Sequence, residues 1–385
     1  MEKKVARNHT AVCTILLLLI LGTGKVFPVP SFFDGPDSAS TSAADTDTLT
    51  DTHIDRIIAS MNDTELLGQI FMLGYFGSKP SEEILHWIGE KKIGGVKIFG
   101  WNAEDLGELT ESIVQMQRTA AQTRHSIPLF IATDQEGGWV RHVKGTTSVT
   151  PGNMAIGATG LPYDAYWSGY HIGSELKQVG INMNFAPTVD VYTNTEANVI
   201  GPRAFSGDPE ETARLSVAYY KGMQKAGIVC TAKHFPGHGS AAEDSHGTLP
   251  EIDTTMSVLW ERELLPYRFL IRRDLPAVMS GHLSFPAIEE EGVPASLSSF
   301  FLEEILRGRL GFDGIIITDD MRMHAVQDND HDAPMACMQA FEAGNDVIMV
   351  SRDPEMYERI WDLFHEELQE SDAFRNRLID SVRRI

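Results

Sequence analysis

Cysteine is scarce in this chain. Cys13, Cys230 and Cys337 are the only three in 385 residues, which does not make a disulfide framework. Cys230 and Cys337 lie in apolar runs, a setting that predicts buried free thiols. Positive charge is short as well: 32 Lys and Arg stand against 54 Asp and Glu, a formal net charge of −22. Such an imbalance argues against a nucleic-acid partner and against attraction to an anionic membrane surface. The chain has one long apolar run, Ala11–Gly22, about half of the ~20 residues that a membrane-spanning helix needs. No G-x-G-x-x-G fingerprint follows any strand-like run, which weakens an open doubly wound sheet as the architecture.

Lys3, Lys4 and Arg7 precede the apolar run, and basic-then-apolar is the order of a secretory signal. Residues 1–24 are therefore expected to be a signal peptide or N-terminal anchor. The chain is then exported (periplasmic, cell-surface or secreted), and touches a membrane only through this segment if it is not cleaved. Residues 25–52 are rich in Pro, Ser, Thr, Ala and Asp. They bury too little to offset their ordering entropy, so a disordered linker is expected there. Residues 53–385 are read as one domain.

From Ile54 onward, helix-like and strand-like segments alternate, the pattern of repeated βα units. Ile54, Ile57, Ile58 and Met61 recur at helical spacing and lead into Asn62-x-x-Glu65, a capping box for the next helix. Strand-like runs come next at Ile70–Phe76, Gly95–Phe99, Leu129–Thr133, Ile181–Pro187, Gly227–Thr231, Ala277–Gly281, Gly314–Thr318 and Asp346–Val350. Helix-compatible segments such as Asp105–Thr123, Glu210–Ala226, Ser298–Leu310 and Pro334–Ala343 separate many of them. Eight such units close a parallel (β/α)8 barrel of the TIM type.

The ionisable residues cluster at strand ends. Asp134 and Glu136 follow LFIAT, Asp190 follows INMNFAPTV, His282 follows AVMSG, and Asp319 and Asp320 follow GIIIT. The densest stretch is Thr231–Pro250, TAKHFPGHGSAAEDSHGTLP, which reads as a small-residue loop carrying Lys233, His234, His238, Glu243, Asp244 and His246. In a βα barrel all strand carboxyl ends open onto one face, where active sites are built. A single strand-end acid is often only a helix cap; the pattern across five strands is what points to chemistry.

These motifs resemble family 3 glycoside hydrolases, in particular the β-N-acetylglucosaminidase (β-hexosaminidase) branch. The resemblance rests on DQEGG (Asp134–Gly138), NFAPTVDV (Asn184–Val191), IGPRAFSGDP (Ile200–Pro209), KHFPGHG followed by DSHGTLP, PASLS (Pro294–Ser298), LGFDGIIITDDMRM (Leu310–Met323) and EAGNDVIMV (Glu342–Val350). It covers the chain from about Ile54 to its end. No long segment follows Arg384, so the sandwich domain of larger relatives is expected to be missing.

The resemblance implies a retaining exo-β-N-acetylglucosaminidase that releases terminal N-acetylglucosamine from cell-wall or chitin-type oligosaccharides. Asp319 matches the nucleophile, and Asp320 is read as a cap for the next helix. Asp244-x-His246 matches a proton-donor pair, in which the carboxylate fixes the imidazole tautomer and favours its charged form. Asp134, Arg203, Lys233 and His234 are implied to bind the terminal sugar. Asp190, His238 and Glu243 carry no assignment. The chemistry requires no metal or organic cofactor.

One departure stands out. The family pattern DQEGG-R-V-x-R continues here as Trp139, Val140, Arg141, His142. The contacts of the family's arginines do not carry over, and Trp139 either stacks on a sugar or packs in the core. Other readings exist. A zinc hydrolase could use His234, His238, Asp244 and His246, but Pro236 and two glycines oppose a ligand-bearing helix. A non-catalytic sugar-binding protein would keep the pocket and lack Asp319 and the Asp244–His246 pair. Within the enzymes, another family 3 β-glycosidase or a phosphorolytic variant remains open.

Overall fold

Parallel strands with both faces buried read as near-continuous apolar runs, and eight such runs pair in the computed structural model. It describes residues 43–195, 199–241, 247–289, 292–327 and 332–385, with side chains from residue 52. The strands are β1 (Phe71–Gly74), β2 (Gly95–Ile98), β3 (Phe130–Thr133), β4 (Met183–Asn184), β5 (Val229–Phe235), β6 (Ala277–Ser280), β7 (Ile315–Thr318) and β8 (Ile348–Val350). Each pairs in parallel with its sequence neighbour from β1 to β7, and β1 also pairs with β8, Phe71 opposite Ile348. A parallel bridge between Ile317 and Val347, with the Thr318 N–H donating to Val347 O at 3.0 Å, joins β7 to β8. The result is the expected TIM-type (β/α)8 barrel.

Side-chain alternation along each strand sorts two cores. Met72, Ala132, Met183, Phe185, Met279, Ile317 and Met349 fill the barrel interior. Leu73, Val96, Ile98, Ile131, Val278 and Ile316 face outward into the larger core under the helices. Cys230 and Cys337 are free and buried.

The capping box at Asn62 forms as read: its Oδ1 accepts the Glu65 N–H, and Glu65 Oε2 accepts the Asn62 N–H, each at 2.9 Å. Three expectations shift. The first described helix starts at Ala43 and runs to Ser60, so the end of the 25–52 stretch is helical: once the apolar face at Ile54–Ile58 nucleates a helix, extending it is cheap. The helix expected at Ser298–Leu310 is a π-helix, Phe300–Arg309. Strand β5 does not stop at Thr231 but continues through Lys233 and His234 to Phe235. Lys233 N–H donates to Pro187 O at 3.2 Å, and Lys233 O accepts from Val189 at 2.8 Å, so the chain stays paired past the point where its sequence turns polar. Among the described residues no helix is long and apolar enough to cross a membrane; the 1–24 segment lies outside them.

Candidate active site

The strand carboxyl ends surround a cavity of about 300 Å³. One wall begins at Asp134, just past β3. Asn184 fixes the backbone behind it: Oδ1 accepts the Gln135 N–H and Nδ2 donates to Gln135 O, both at 2.9 Å. Gln135 in turn bonds the Val143 backbone in both directions, at 2.8 and 3.0 Å. The small hairpin Gln135–Gly137/Val140–Arg141 is thereby closed, with Val140 and His142 facing the cavity.

Within that wall, cations and carboxylates interlock. Lys233 Nζ donates to Asp134 Oδ1 at 2.5 Å and lies 2.7 Å from Glu136 Oε1. Lys97 Nζ pairs with Asp134 Oδ2. Arg203 grips Glu136 through two bonds, Nε to Oε2 at 3.0 Å and Nη2 to Oε1 at 2.8 Å, the bidentate geometry that suits guanidinium to carboxylate. Burial by itself would raise the Asp134 and Glu136 carboxyls. Lys233 and Lys97 override it at Asp134, which is held well below the usual range. Arg203 and Lys233 do the same at Glu136, which is lowered to about 2. Both are carboxylates at any ordinary pH. Asp134 keeps 19% of its side chain accessible, so it faces the cavity and not only its partners.

His234 is held from two sides. Its Nδ1 lies 2.8 Å from Asp190 Oδ2 and its Nε2 lies 3.3 Å from Arg203 Nη2. A guanidinium can only donate, so Nε2 accepts and Nδ1–H donates to Asp190. Both ring nitrogens are committed, which disfavours His234 as a metal ligand. Asp190 Oδ1 also accepts the backbone N–H groups of His234 (3.2 Å) and His238 (2.7 Å). It is thus a structural anchor of the KHFPGHG segment. That segment is not the loosely held loop its composition suggests. Residues Pro236–Gly239 are buried, and a Cβ on Gly239 would stand 2.0 Å from Val191 O; the glycine permits close backbone approach.

Opposite this wall stands Asp319, at the end of β7, half-buried and lining the cavity. Its Oδ1 accepts the Asp320 N–H at 2.8 Å. Burial opposes ionisation, yet His234, His282, that N–H and Lys233 together hold the Asp319 carboxyl below its usual value. Asp320 also lines the cavity, but its Oδ1 accepts the N–H groups of Arg322 and Ser351, each at 3.1 Å. It caps a turn and ties the β7 loop to the β8 loop. PASLS finds its place here: Ser296 Oγ lies 2.7 Å from His282 Nδ1, and His282 Nε2 lies 3.2 Å from Asp320 O.

Of the residues singled out in the sequence, Asp134, Arg203, Lys233, His234 and Asp319 converge on this one cavity. Asp244 and His246, with Glu243, lie outside the described residues, on the segment between Ala241 and Gly247. Lys97 and Glu136 also belong to the site, though no role is assigned to them from the sequence. His142 lines it as well, 3.9 Å from Asp134; burial and then Lys97 lower its pKa to about 4, so it is neutral. Trp139 is not core: it stands 65% exposed at the hairpin tip.

Comparison with known proteins bears on what this cavity belongs to. The family model described as the glycosyl hydrolase family 3 N terminal domain matches residues 55–385. Beta-hexosaminidase A of Pseudoalteromonas piscicida is 34% identical over 336 residues, covering 78% of this chain and 56% of that protein. The beta-hexosaminidase of Alkalilimnicola ehrlichii is 35% identical over 302 residues, covering 75% of this chain and 82% of the other. A glycoside hydrolase family 3 beta-N-acetylglucosaminidase from Paenibacillus superposes with a TM-score of 0.80 at 38% identity, over 84% of this chain and 61% of that one. The chain thus spans little more than half the length of the first relative, 56%. A family model matched over most of the chain and a barrel shared with a solved member place this chain in glycosyl hydrolase family 3.

Proposed function

We propose that the protein is a retaining exo-β-N-acetylglucosaminidase, acting through a glycosyl-aspartate intermediate on Asp319. The observation that carries this reading is the opposition across one cavity of an ionised Asp319 and the Lys97–Asp134–Lys233–Glu136–Arg203 cluster. The cluster offers a fixed carboxylate acceptor and fixed cationic donors, the groups that orient a hydroxylated ring. Pre-paired, they need little reorganisation when the sugar arrives. Asp319, bearing charge and aimed into the same space, attacks the anomeric carbon as the bond to the leaving oxygen breaks.

The departing oxygen needs a proton. Asp244 and His246, on the loop after β5, are assigned to this step by their match to the family motif: the carboxylate orients the ring, and the imidazolium gives its proton to the leaving group. Once neutral, the imidazole takes a proton from water as water attacks the glycosyl-aspartate. Lys233, in the strand leading to that loop, then binds substrate, and His234 beside it serves binding by holding the Arg203 guanidinium in place, while the loop carries the acid. The relatives' names favour a terminal N-acetylglucosamine as the sugar bound. An export signal at residues 1–24 would direct the enzyme to wall or environmental glycans.

Trapping tests the assignment. A slow fluorinated N-acetylglucosaminide is expected to label the full-length chain once, on the peptide containing Asp319, by mass spectrometry after digestion. A label on another carboxylate, or steady turnover with no covalent species under trapping conditions, overturns it.

A further inference from the structure

The helix Leu264–Ile271 opens on an acid, Glu263, with Tyr267 one turn further on. An acid at a helix start is often a cap, but Glu263 makes no side-chain capping bond. Its side chain lies instead against the end of β5. Residues one turn apart share a helix face, and on this face Tyr267 packs edge-on against Phe235, centroids 5.3 Å apart and planes at 87°. Glu263 is 1% exposed and touches Gly237. A Cβ on Gly237 would stand 2.7 Å from Glu263 Cβ and 3.1 Å from its Oε2, and Gly237 has φ +147°. The buried segment Phe235–Gly239 therefore rests on this side chain at a distance only glycine allows.

Two carboxyls thus meet one stretch of backbone. Asp190, from the loop after β4, accepts the His234 and His238 N–H groups and pairs with His234 Nδ1. Glu263 is far less satisfied: Arg262 Nε donates to its Oε1 at 2.6 Å, and its Oε2 has no partner among the described residues. Like charges sharing a buried place cannot both ionise cheaply. Burial opposes ionisation of Asp190, yet His234 and His238 hold it below its usual value. Burial raises Glu263 to about 7; Asp190 adds to the rise, and Arg262 and the Val191 N–H only partly offset it. Tyr267 also faces the pair, and burial with the two negative charges keeps it neutral.

We infer that Glu263 is a positioning residue: it supports the segment that Asp190 binds, and so fixes where the Asp244–His246 loop departs beyond Gly239. While the carboxyl holds its proton, the segment stays seated. Once ionised, it sets a second buried negative charge beside Asp190, and the seat loosens. The inference rests on the proposed role of that loop, and adds a proton remote from the reacting atoms on which activity depends.

Hydrogen exchange on the full-length protein reads the seat without any turnover. Corrected for intrinsic rates, protection of the peptide carrying His238 should fall about tenfold between pH 6 and 8 in wild type. In Glu263→Gln, which keeps the shape and cannot ionise, it should fall less than about twofold. Stability should follow. Glu263 is raised from 4.5 to about 7 by folding, so its contribution is full below about pH 4.5 and lost as pH rises through about 7. His142 and His238, each lowered to about 4 mainly by burial, slope the other way. The readout is therefore the variant's unfolding midpoint minus that of wild type, which should climb from pH 5 to 7.5. For the chemistry, N-acetylglucosaminyl fluoride has a leaving group that needs no proton. Its kcat/KM should drop about tenfold per pH unit above 7 in wild type and hold in Glu263→Gln. Equal loss of protection in the two proteins overturns the inference, as does wild-type protection that is the same at pH 6 and 8, a result that needs no variant. An alkaline limb shared by both proteins on the fluoride confines Glu263 to the fold and overturns it too. Wild-type protein that turns over no N-acetylglucosaminide overturns the glycosidase activity instead, and the exchange result still decides whether Glu263 seats the segment.

Discussion

Two aspartates sit at opposite ends of this barrel, each ringed by cations, and they serve different ends. Asp346, at the entrance to β8, accepts from Arg307 (2.6 Å), Arg384 (3.0 Å), Arg377 (3.4 Å), Ser381 Oγ (2.9 Å) and the Ile316 N–H (2.9 Å). Its side chain is wholly inaccessible, and its partners belt the C-terminal helix to the barrel floor. Asp134, at the exit of β3, is paired just as closely with Lys97 and Lys233 but retains an edge on an open cavity. A count of ion pairs would not separate the two. What does is unspent capacity: at Asp346 the protein fills the acceptor sites itself, while the upper cluster leaves donors and acceptors facing a space of sugar size.

The contrast breaks most sharply at Asp319, which faces that space. Asp319→Ala is expected to lower kcat on an aryl N-acetyl-β-glucosaminide by at least about 10³-fold, with circular dichroism and the unfolding midpoint nearly unmoved. A residual rate within tenfold of wild type would mean that another group attacks.

Asp346→Ala should do the reverse. Removing one partner of a buried pair strands the other, and here three arginines lose their common acceptor, so about 3–5 kcal/mol of stability should be lost in urea titrations. Turnover per folded molecule should stay near wild type. If activity fell in proportion to stability at temperatures where the variant is still folded, the floor of the barrel would be coupled to its mouth and the division of labour between the two aspartates would fail.

Glu136→Gln sharpens the comparison through pH. Glu136 is lowered from 4.5 to about 2 in the folded protein, so its ionised form stabilises the fold fully above about pH 4.5. That contribution fades as pH falls toward about 2, because the unfolded chain takes up the proton first. Asp134 shifts in the same direction. Wild-type stability should therefore decline through this acid window, and Glu136→Gln should flatten the decline while weakening sugar binding roughly tenfold to a hundredfold, since Arg203 loses its brace. An unchanged acid slope in the variant would show that Glu136 is not a titrating partner in the fold.

Glu136 and Lys97 also mark where the sequence is hard to read. All eight strands are legible because apolar runs buried on two faces have few other uses, and the acids at their ends are legible because they interrupt those runs. Lys97 sits inside one, in Gly95–Ile98, and looks like a strand's solvent-facing residue. Only the closed barrel reveals that it points inward, with its Nζ 4.8 Å from the Phe185 ring and paired to Asp134. Lys233 and His234 read as loop because they are polar, yet β5 carries both, since paired charges can stay buried in a strand where an isolated one could not. Asp190 stands out in the sequence without showing a role. Its task, holding one imidazole nitrogen and two backbone N–H groups from 44 and 48 residues away, depends on β4 lying beside β5, which no local pattern encodes.

The smallest effect is expected one residue from the largest. Asp320 lines the same cavity as Asp319, but its Oδ1 accepts two backbone N–H groups, those of Arg322 and Ser351, against the single one at Asp319 Oδ1, so more of its capacity goes to holding the loops despite its place at the mouth. Asn keeps that acceptor oxygen and removes only the charge. Asp320→Asn should therefore cost turnover less than about tenfold, whereas Asp320→Ala, which strands both N–H groups, should cost about 1–2 kcal/mol of stability and loosen the β8 loop. Hydrogen exchange at the Ser351 amide separates the two variants: protected in the first, fast in the second. Proximity to the chemistry does not by itself make a carboxylate part of it; what matters is whether its oxygens are still free to meet a substrate.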